Sequence, residues 1–255
     1  DRVSRAQPVS GGSAGLEHLW AAAASEPLVL PESQPGQAVR AVLDLGVVHN
    51  GWIELDVEAQ AGSQLDLAFI ESVDAGPPLR LRWPIGCNNA LTYRPSAGRQ
   101  VFESFLPYGV RHVVIQHSGR RPVRIHSLRI RTANCGSRLQ GHFLSPDPLL
   151  NQIYQIAAQS VISGMDDTFT DCPTFEQVNW NFDNRTAWQG EIFTSANHAI
   201  ARHSIQLFAE DTEFPDLVRS QYPSGWRNLI PIYCFHWIMW CREYYRYSGD
   251  EALIR

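Results

Sequence analysis

The sequence predicts an antiparallel β-sandwich followed by an all-helical domain. Apolar residues alternate with polar residues at a period of two from about residue 39, which is typical of half-buried strands. Gly and Pro divide these strands, and no helical pattern separates them. Near Phe143 the period becomes helical. Because strands and helices are segregated along the chain, a doubly wound α/β fold is excluded.

The composition excludes several classes of protein. Of the 255 residues, 44% are hydrophobic and 18% are charged, so the chain can bury a sizeable core and is not disordered as a whole. The net charge is −5, all 21 basic residues are arginines, and there is no basic block, so we expect no nucleic-acid binding. No apolar run approaches the roughly 18 residues that cross a bilayer, which excludes a transmembrane protein.

The cysteines and histidines do not form a metal-binding pattern. Five cysteines, an odd number, occur without a C-x-x-C pair, so free thiols are expected. His198 and His203 are five residues apart, a spacing that does not bring both onto one helix face. The sequence therefore predicts no metal and no other cofactor.

Residues 1–38 are predicted to be a linker or the remnant of a preceding domain. Ser10–Gly15 is typical of a flexible linker, and a short helix is expected at Leu16–Ala24. Residues 11–15 formally fit the G-x-S-x-G nucleophile elbow, but the strand that this motif needs is missing before it. The chain begins at Asp1 without a charged-then-apolar leader, so we expect a fragment or a processed form.

The β-sandwich domain is predicted over residues 39–135. The alternating residues 53–59 and 65–69 flank Ala61-Gly62-Ser63 and predict a hairpin. Further strands are predicted at Val101–Phe105, Arg111–Gln116 and Val123–Thr132. The arginines of the last segment alternate with apolar residues, which indicates a solvated sheet face and not a basic binding patch.

The helical domain is predicted over residues 136–255. Asp147 is a plausible N-cap with Pro148 at the first helical position. A second helix is predicted at Thr186–Phe208, and a third from Pro231 to Gly249, a natural C′ residue.

Residues 166–191 carry the residue types of a sugar-binding site. Aromatic rings cover the apolar face of a pyranose, carboxylates accept its hydroxyl protons, and an apolar wall raises the pKa of a carboxyl as a general acid requires. The carboxyl residues are Asp166, Asp167, Asp171, Glu176, Asp183 and Glu191, and the aromatic residues are Phe169, Phe175, Trp180, Phe182 and Trp188. The alternative is purely structural, with Asp171 as a helix cap, Thr174 and Gln177 as a capping box, and the aromatic residues in the core.

The order of motifs in this region is recognisable. Asp171-Cys172-Pro173 is followed by Glu176, five positions after Asp171, then by Trp180 and by Asp183. A second block comprises Ser220–Ser224, Ile230-Pro231 and the aromatic helix that ends at Tyr244–Asp250. Upstream, Leu43–Gly46, Gly51–Leu55 and Tyr108–Val113 fit a β-domain before a barrel. Over about residues 40–255 the chain resembles the bacterial α-L-rhamnosidases of glycoside hydrolase family seventy-eight.

The resemblance implies a fold and an activity. The α-domain would hold the first helices of an (α/α)6 six-hairpin barrel, and the enzyme would remove terminal α-L-rhamnose from oligosaccharides or glycosides with inversion. Glu176 would be the general acid, Asp171 and Asp183 would bind rhamnose hydroxyls, and Trp180 would pack against the sugar.

The sequence departs from the family pattern at two positions. Phe182 stands where a small Gly commonly precedes the last Asp, and Phe175 stands where many members have an Arg. The chain also has too few helices for a complete barrel, so we expect a partial chain whose water-activating base lies beyond Arg255, with Glu191 as the alternative within it.

Two other functions stay open at this point. One is a noncatalytic carbohydrate-binding or assembly protein on the same scaffold, which Phe175, Phe182 and the missing base favour. The other is a glycosidase of related architecture that acts on a different sugar. The aglycone, linkage, oligomeric state and compartment are open, with the cytoplasm slightly favoured.

Overall fold

A computed structural model describes residues 27–74, 80–82 and 89–255. The chain divides into two compact units, Asp1–Thr132 and Ala133–Arg255. The linker, the short helix and the G-x-S-x-G pattern considered before residue 27 lie outside the described residues. Within the described parts, no helix is long and apolar enough to span a membrane.

The first unit is built from antiparallel strands. Seven of them form one hydrogen-bonded sheet in the order β1-β9-β2-β8-β3-β6, with β7 also paired to β2, and β4 pairs with β5. The strands are β1 (Leu28–Leu30), β2 (Val39–Ala59), β3 (Gln64–Ile70), β4 (Ser72–Asp74), β5 (Arg80–Arg82), β6 (Ala90–Tyr93), β7 (Gly98–Glu103), β8 (Tyr108–Ser118) and β9 (Val123–Thr132). The predicted antiparallel β-domain is confirmed. Strand β1 lies inside the segment predicted as a linker and pairs with β9.

The long strand β2 belongs to two sections of this sheet. Its first part, residues 39–51, pairs with β8, and its second part, residues 51–59, pairs with β9 and β7. Gly51 stands where the two sections meet, opposite Tyr108 on one side and Thr132 on the other. A Cβ at Gly51 would overlap the backbone carbonyl of Arg131, so this position requires glycine.

The apolar faces of both sections form one hydrophobic core. Ile53, Leu55 and Val57 of β2 are fully buried in the same cluster as Leu65 and Leu67 of β3. The predicted hairpin is nevertheless wrong, because β3 pairs with β8 and β6 and not with β2. The turn after β2 carries the chain from one section to the other, and the alternation of apolar residues is the same in either arrangement.

The arginine-rich strand β9 has a solvated face. Arg124, Arg129 and Arg131 are exposed between buried or half-buried apolar residues. Arg131 pairs with Glu103, and its guanidinium lies 4.6 Å from the centre of the Trp52 ring. Such exposed pairs contribute little to stability, typically about 0–1 kcal/mol.

The second unit contains four α-helices, α1 (Pro148–Ser163), α2 (Asn181–Glu191), α3 (His198–Glu210) and α4 (Pro231–Ser248), and a short 3-10 turn at Glu251–Leu253. As predicted, Asp147 caps α1 and accepts a hydrogen bond from the Leu149 amide at 2.8 Å, and Pro148 begins the helix. The predicted end of the last helix is also correct, since Gly249 has a left-handed φ of 72°.

The single helix predicted at Thr186–Phe208 is wrong. The structure breaks it between α2 and α3, and Ala196 there has a left-handed φ of 51°. The fully buried carboxylate of Glu191 accepts hydrogen bonds from the Ser195 hydroxyl, at 2.6 Å, and from the Asn197 amide. A buried carboxylate requires hydrogen-bond donors. The turn of the chain just before α3 supplies them to Glu191.

Helices α2 and α4 lie side by side and run in the same direction. Phe182 near the start of α2 contacts His236, and Arg185 and Gln189 further along contact Glu243 further along α4. Helix α1 packs on α2, and α3 packs on α4. The structure thus contains two packed helix pairs, α1–α2 and α3–α4, with the second helices of the two pairs in contact.

Gly141 provides a test of packing in the second unit. Its amide donates to the Thr194 carbonyl at 2.7 Å, and a Cβ there would overlap the Phe193 carbonyl and lie 2.8 Å from the Tyr154 hydroxyl. We expect Gly141→Ala to lower the free energy of unfolding by about 1–3 kcal/mol, measured by urea denaturation. Gly225→Ala is the control, because a Cβ at Gly225 meets nothing within 4 Å. Equal stability of the two variants would contradict this packing.

Candidate active site

A closed loop between α1 and α2 carries the Asp-Cys-Pro motif. The Asp171 amide donates to the Val178 carbonyl, and the Val178 amide donates to Asp171 Oδ1, both at 3.0 Å. Residues 173–176 form a turn and Gln177 has a left-handed φ of 55°. The capping-box alternative is therefore wrong, since no helix begins at Thr174, and the loop fixes Asp171 beside the turn that presents Glu176.

Trp180 holds the Glu176 carboxyl directly. Its indole Nε1–H donates to Glu176 Oε2, and both side chains are half-buried. The Trp180 ring lies 6.4 Å from the Trp226 ring and 5.9 Å from the Tyr233 ring, centre to centre. Glu176 thus stands at the edge of an aromatic cluster and is neither fully exposed nor sealed in the core.

Backbone pairing brings the second motif block against the first. The Asn181 amide donates to the Ser220 carbonyl at 2.9 Å, the Tyr222 amide donates to the Asn179 carbonyl at 3.2 Å, and Trp180 pairs with Gln221 between them. These contacts join two segments that are distant in sequence at the start of α2.

Asp183 lies in the first turn of α2, beside Tyr233 of α4. The Tyr233 hydroxyl donates a hydrogen bond to its carboxylate. Desolvation and the nearby charge of Asp171 raise the pKa of Asp183, while the Tyr233 hydrogen bond acts in the opposite direction. The pKa of Tyr233 is itself raised, mainly by desolvation and further by Asp183 and Glu176. The structure therefore brings Asp171, Glu176, Trp180 and Asp183 together.

The two phenylalanines that depart from the family pattern have different surroundings. The Phe182 ring packs on α4, 4.3 Å from the His236 ring and 5.7 Å from the Tyr233 ring. The Phe182 ring therefore lies at the α2–α4 seam, the contact between these two helices. Asp183 still forms its hydrogen bond with Tyr233. Phe175, directly before Glu176, is 47% exposed. Of the other aromatic residues in this stretch, Phe169 and Trp188 are fully buried, as the structural alternative predicted for them.

A charged network forms the seam below Phe182. The Arg185 guanidinium donates to both oxygens of Glu243, at 3.0 and 2.5 Å, and Gln189 donates to Glu243 at 3.2 Å. Arg185 Nη1 lies 3.2 Å from His236 Nδ1. The Arg185 side chain is only 10% exposed, so Glu243 compensates a nearly buried charge.

The alternative assignment of Glu191 as the water-activating base is wrong. Its side chain is fully buried, and one carboxylate oxygen holds the turn before α3 through Ser195 and Asn197. A base that activates water must reach the substrate, and this carboxylate does not. Among the described residues, no group of three or more His, Cys, Asp or Glu side chains could hold a metal ion.

Sequence reasoning missed Tyr233, His236 and Trp226. Tyr233 and His236 are three residues apart and share a face of α4. This spacing was readable, but nothing in it indicated that the face would pack on α2 beside Asp183. Trp226 lies in the irregular segment before α4 and carries no periodic signal.

The model of one protein family matches residues 138–255, the bacterial α-L-rhamnosidase six-hairpin glycosidase domain. No curated protein matches the chain.

Three solved structures of rhamnosidases are similar to the chain. The family 78 rhamnosidase of Bacillus sp. GL1 is 31% identical, with 91% of this chain and 24% of that chain covered and a TM-score of 0.85. The rhamnosidase from Klebsiella oxytoca with rhamnose bound is 16% identical, with 98% and 52% covered and a TM-score of 0.75. The α-L-rhamnosidase from Dictyoglumus thermophilum is 18% identical, with 90% and 26% covered and a TM-score of 0.69.

This chain spans about a quarter of the length of the Bacillus enzyme. The predicted fold class is confirmed, with an antiparallel β-domain that precedes helices of the six-hairpin type. The resemblance inferred from the motifs is also confirmed, because residues 138–255 match the bacterial α-L-rhamnosidase six-hairpin glycosidase domain and the structure is similar to those of family 78 rhamnosidases.

Proposed function

We propose that this chain carries part of the active site of a glycoside hydrolase that removes terminal α-L-rhamnose with inversion. The observation that carries the proposal is the Glu176–Trp180 hydrogen bond at the edge of the aromatic cluster, with Asp171 and Asp183 in the same site. The Klebsiella oxytoca structure, whose title gives rhamnose as bound, supports rhamnose as the sugar.

Glu176 is the general acid in this proposal. The indole of Trp180 is a donor only, so Glu176 Oε2 accepts its hydrogen bond and Oε1 carries the transferable proton. That proton goes to the glycosidic oxygen as its bond to the anomeric carbon breaks, while water attacks from the opposite face and gives its own proton to a base. Inversion places the acid and the base about 6.5–9.5 Å apart. The base expected beyond Arg255 stays a prediction.

Asp171 and Asp183 accept hydrogen bonds from rhamnose hydroxyls in this proposal, and Trp180 packs on the ring. The raised pKa of Asp183 makes its carboxylate a stronger proton acceptor than an ordinary aspartate. The hydrogen bond from Tyr233 favours the charged form of this carboxylate.

A second candidate is a noncatalytic sugar-binding protein on the same scaffold. Phe175 and Phe182 favour it, because they stand where the family commonly has Arg and Gly. Binding of L-rhamnose to the full-length protein without hydrolysis of any aryl glycoside would select this function.

Replacement of the acid should affect poor leaving groups most. We expect Glu176→Gln to lower kcat for a rhamnose-containing disaccharide by roughly 10²–10⁴-fold, and kcat for p-nitrophenyl α-L-rhamnoside by less, because nitrophenolate departs without full protonation. Both rates are measured on the full-length protein. The control is Glu251→Gln, since Glu251 is exposed and pairs with the exposed Arg255. Equal rates for wild type and Glu176→Gln would remove the acid assignment.

The pH dependence of binding tests the role of Tyr233. Tyr233→Phe keeps the ring contacts but removes the donor that favours the Asp183 carboxylate, so the pKa of Asp183 should rise further. On acidification, the affinity for L-rhamnose should therefore fall at a higher pH in the variant than in wild type. Calorimetric titrations between about pH 4 and 7 would measure this, with Tyr245→Phe on the same helix as control. Superimposable pH profiles would show that the hydrogen bond does not set the charge of Asp183.

A further inference from the structure

The histidine at the α2–α4 seam has a single protonation state fixed by its neighbour. A guanidinium donates hydrogen bonds and accepts none, so the 3.2 Å contact with Arg185 Nη1 requires His236 Nδ1 to be an unprotonated acceptor. The ring is therefore neutral and carries its proton on Nε2. Desolvation and the charge of Arg185 both lower the pKa of His236, which agrees with this state.

The Nε2–H of His236 is a donor without an acceptor among the residues that the structure describes. Nε2 is the ring nitrogen that does not face Arg185. The ring is half-buried and contacts the ring of Phe182, the residue directly before Asp183, in a tilted arrangement with an interplanar angle of 49°. Tyr233 stands 6.3 Å away on the same face of α4, so the ring is one helical turn from the hydroxyl that binds Asp183.

The site residues named above contribute more acceptors than donors. Asp171, Glu176 and Asp183 contribute carboxyl groups, while the Trp180 indole and the Tyr233 hydroxyl already donate to two of them. Each hydroxyl of a sugar donates one hydrogen bond and also accepts, so its oxygen needs a donor from the protein. A neutral imidazole that Arg185 holds in place, with its proton on Nε2, can meet that need at little cost in conformational entropy.

We infer that His236 is a further sugar-binding residue of the site, which donates from Nε2 to an oxygen of the bound sugar. Arg185 and Glu243 serve as its positioning residues, because they hold the ring and select its tautomer. The inference rests on the proposed function for the identity of the sugar, L-rhamnose.

The competing role for His236 is structural, as an acceptor that completes the coordination of Arg185. Substitution of His236 by glutamine and by asparagine separates these two roles. His236→Gln places an amide nitrogen near the position of Nε2 and can supply the donor. His236→Asn places its amide near Nδ1, so it can still accept from Arg185 but cannot reach the sugar.

The experiment measures the Kd of L-rhamnose by calorimetry, kcat/KM on p-nitrophenyl α-L-rhamnoside, and Tm, all on the full-length protein. We expect His236→Asn to weaken L-rhamnose binding and to lower kcat/KM by about 10-fold, the effect of one lost neutral hydrogen bond. His236→Gln should stay within about 3-fold of wild type, which is less than the loss of one such bond. His203→Asn, at an exposed position on α3, is the matched control and should match wild type.

Several results would overturn the inference. Wild-type affinity in His236→Asn would show that only the contact with Arg185 matters, and equal losses in both variants would show that the ring and not its donor is required. Failure of the proposed function is a separate result. If the wild-type protein binds L-rhamnose but does not hydrolyse the aryl rhamnoside, the enzymatic proposal is wrong. The Kd values of the variants for L-rhamnose still decide the role of His236 in that case. A wild-type protein that neither binds nor hydrolyses overturns both.

Discussion

The ion pair between Arg185 and Glu243 fixes the relation of α2 to α4, and the candidate site depends on that relation. Asp183 belongs to one helix, and Tyr233 and His236 belong to the other. A nearly buried guanidinium without its partner would leave an uncompensated charge, which typically costs about 3–5 kcal/mol. The pair therefore favours one alignment of the helices over alignments that shift one helix along the other, and the site residues are placed by that alignment.

The same seam explains why a phenylalanine is tolerated before Asp183. The Phe182 ring lies against the rings of Tyr233 and His236, where aromatic contacts add to the packing of the helices. At the position where the family commonly has Gly, this chain therefore has a ring that contributes to the packing of α2 on α4. Backbone pairing of residues 179–181 with residues 220–222 closes the same region from the other side.

Features that depend on neighbours in sequence were predictable, and features that depend on distant partners were not. The start of α1 at Asp147 and the end of α4 at Gly249 follow from local capping chemistry. The contact of Glu176 with Trp180 joins residues four apart, so a motif could indicate it. The break between α2 and α3 at Ala196 depends on hydrogen-bond donors to the buried Glu191, while the helical spacing of apolar residues continues through it. The connection from β2 to β3 could not be predicted either, because the alternation of apolar residues is the same in a hairpin and in a crossing between the two sections of the sheet. The proximity of Tyr233 and His236 to Asp183 depends on the packing of α4 on α2, which joins residues distant in sequence.

One strand serves both sections of the β-domain, and this sharing has a consequence for how the domain folds. Strand β2 pairs with β8 along its first part and with β9 and β7 along its second. Because both sections also bury their side chains in one core, neither can retain its pairing once β2 is displaced. Loss of order at either end of β2 should spread to the other end, so that the two sections form and melt as one cooperative unit.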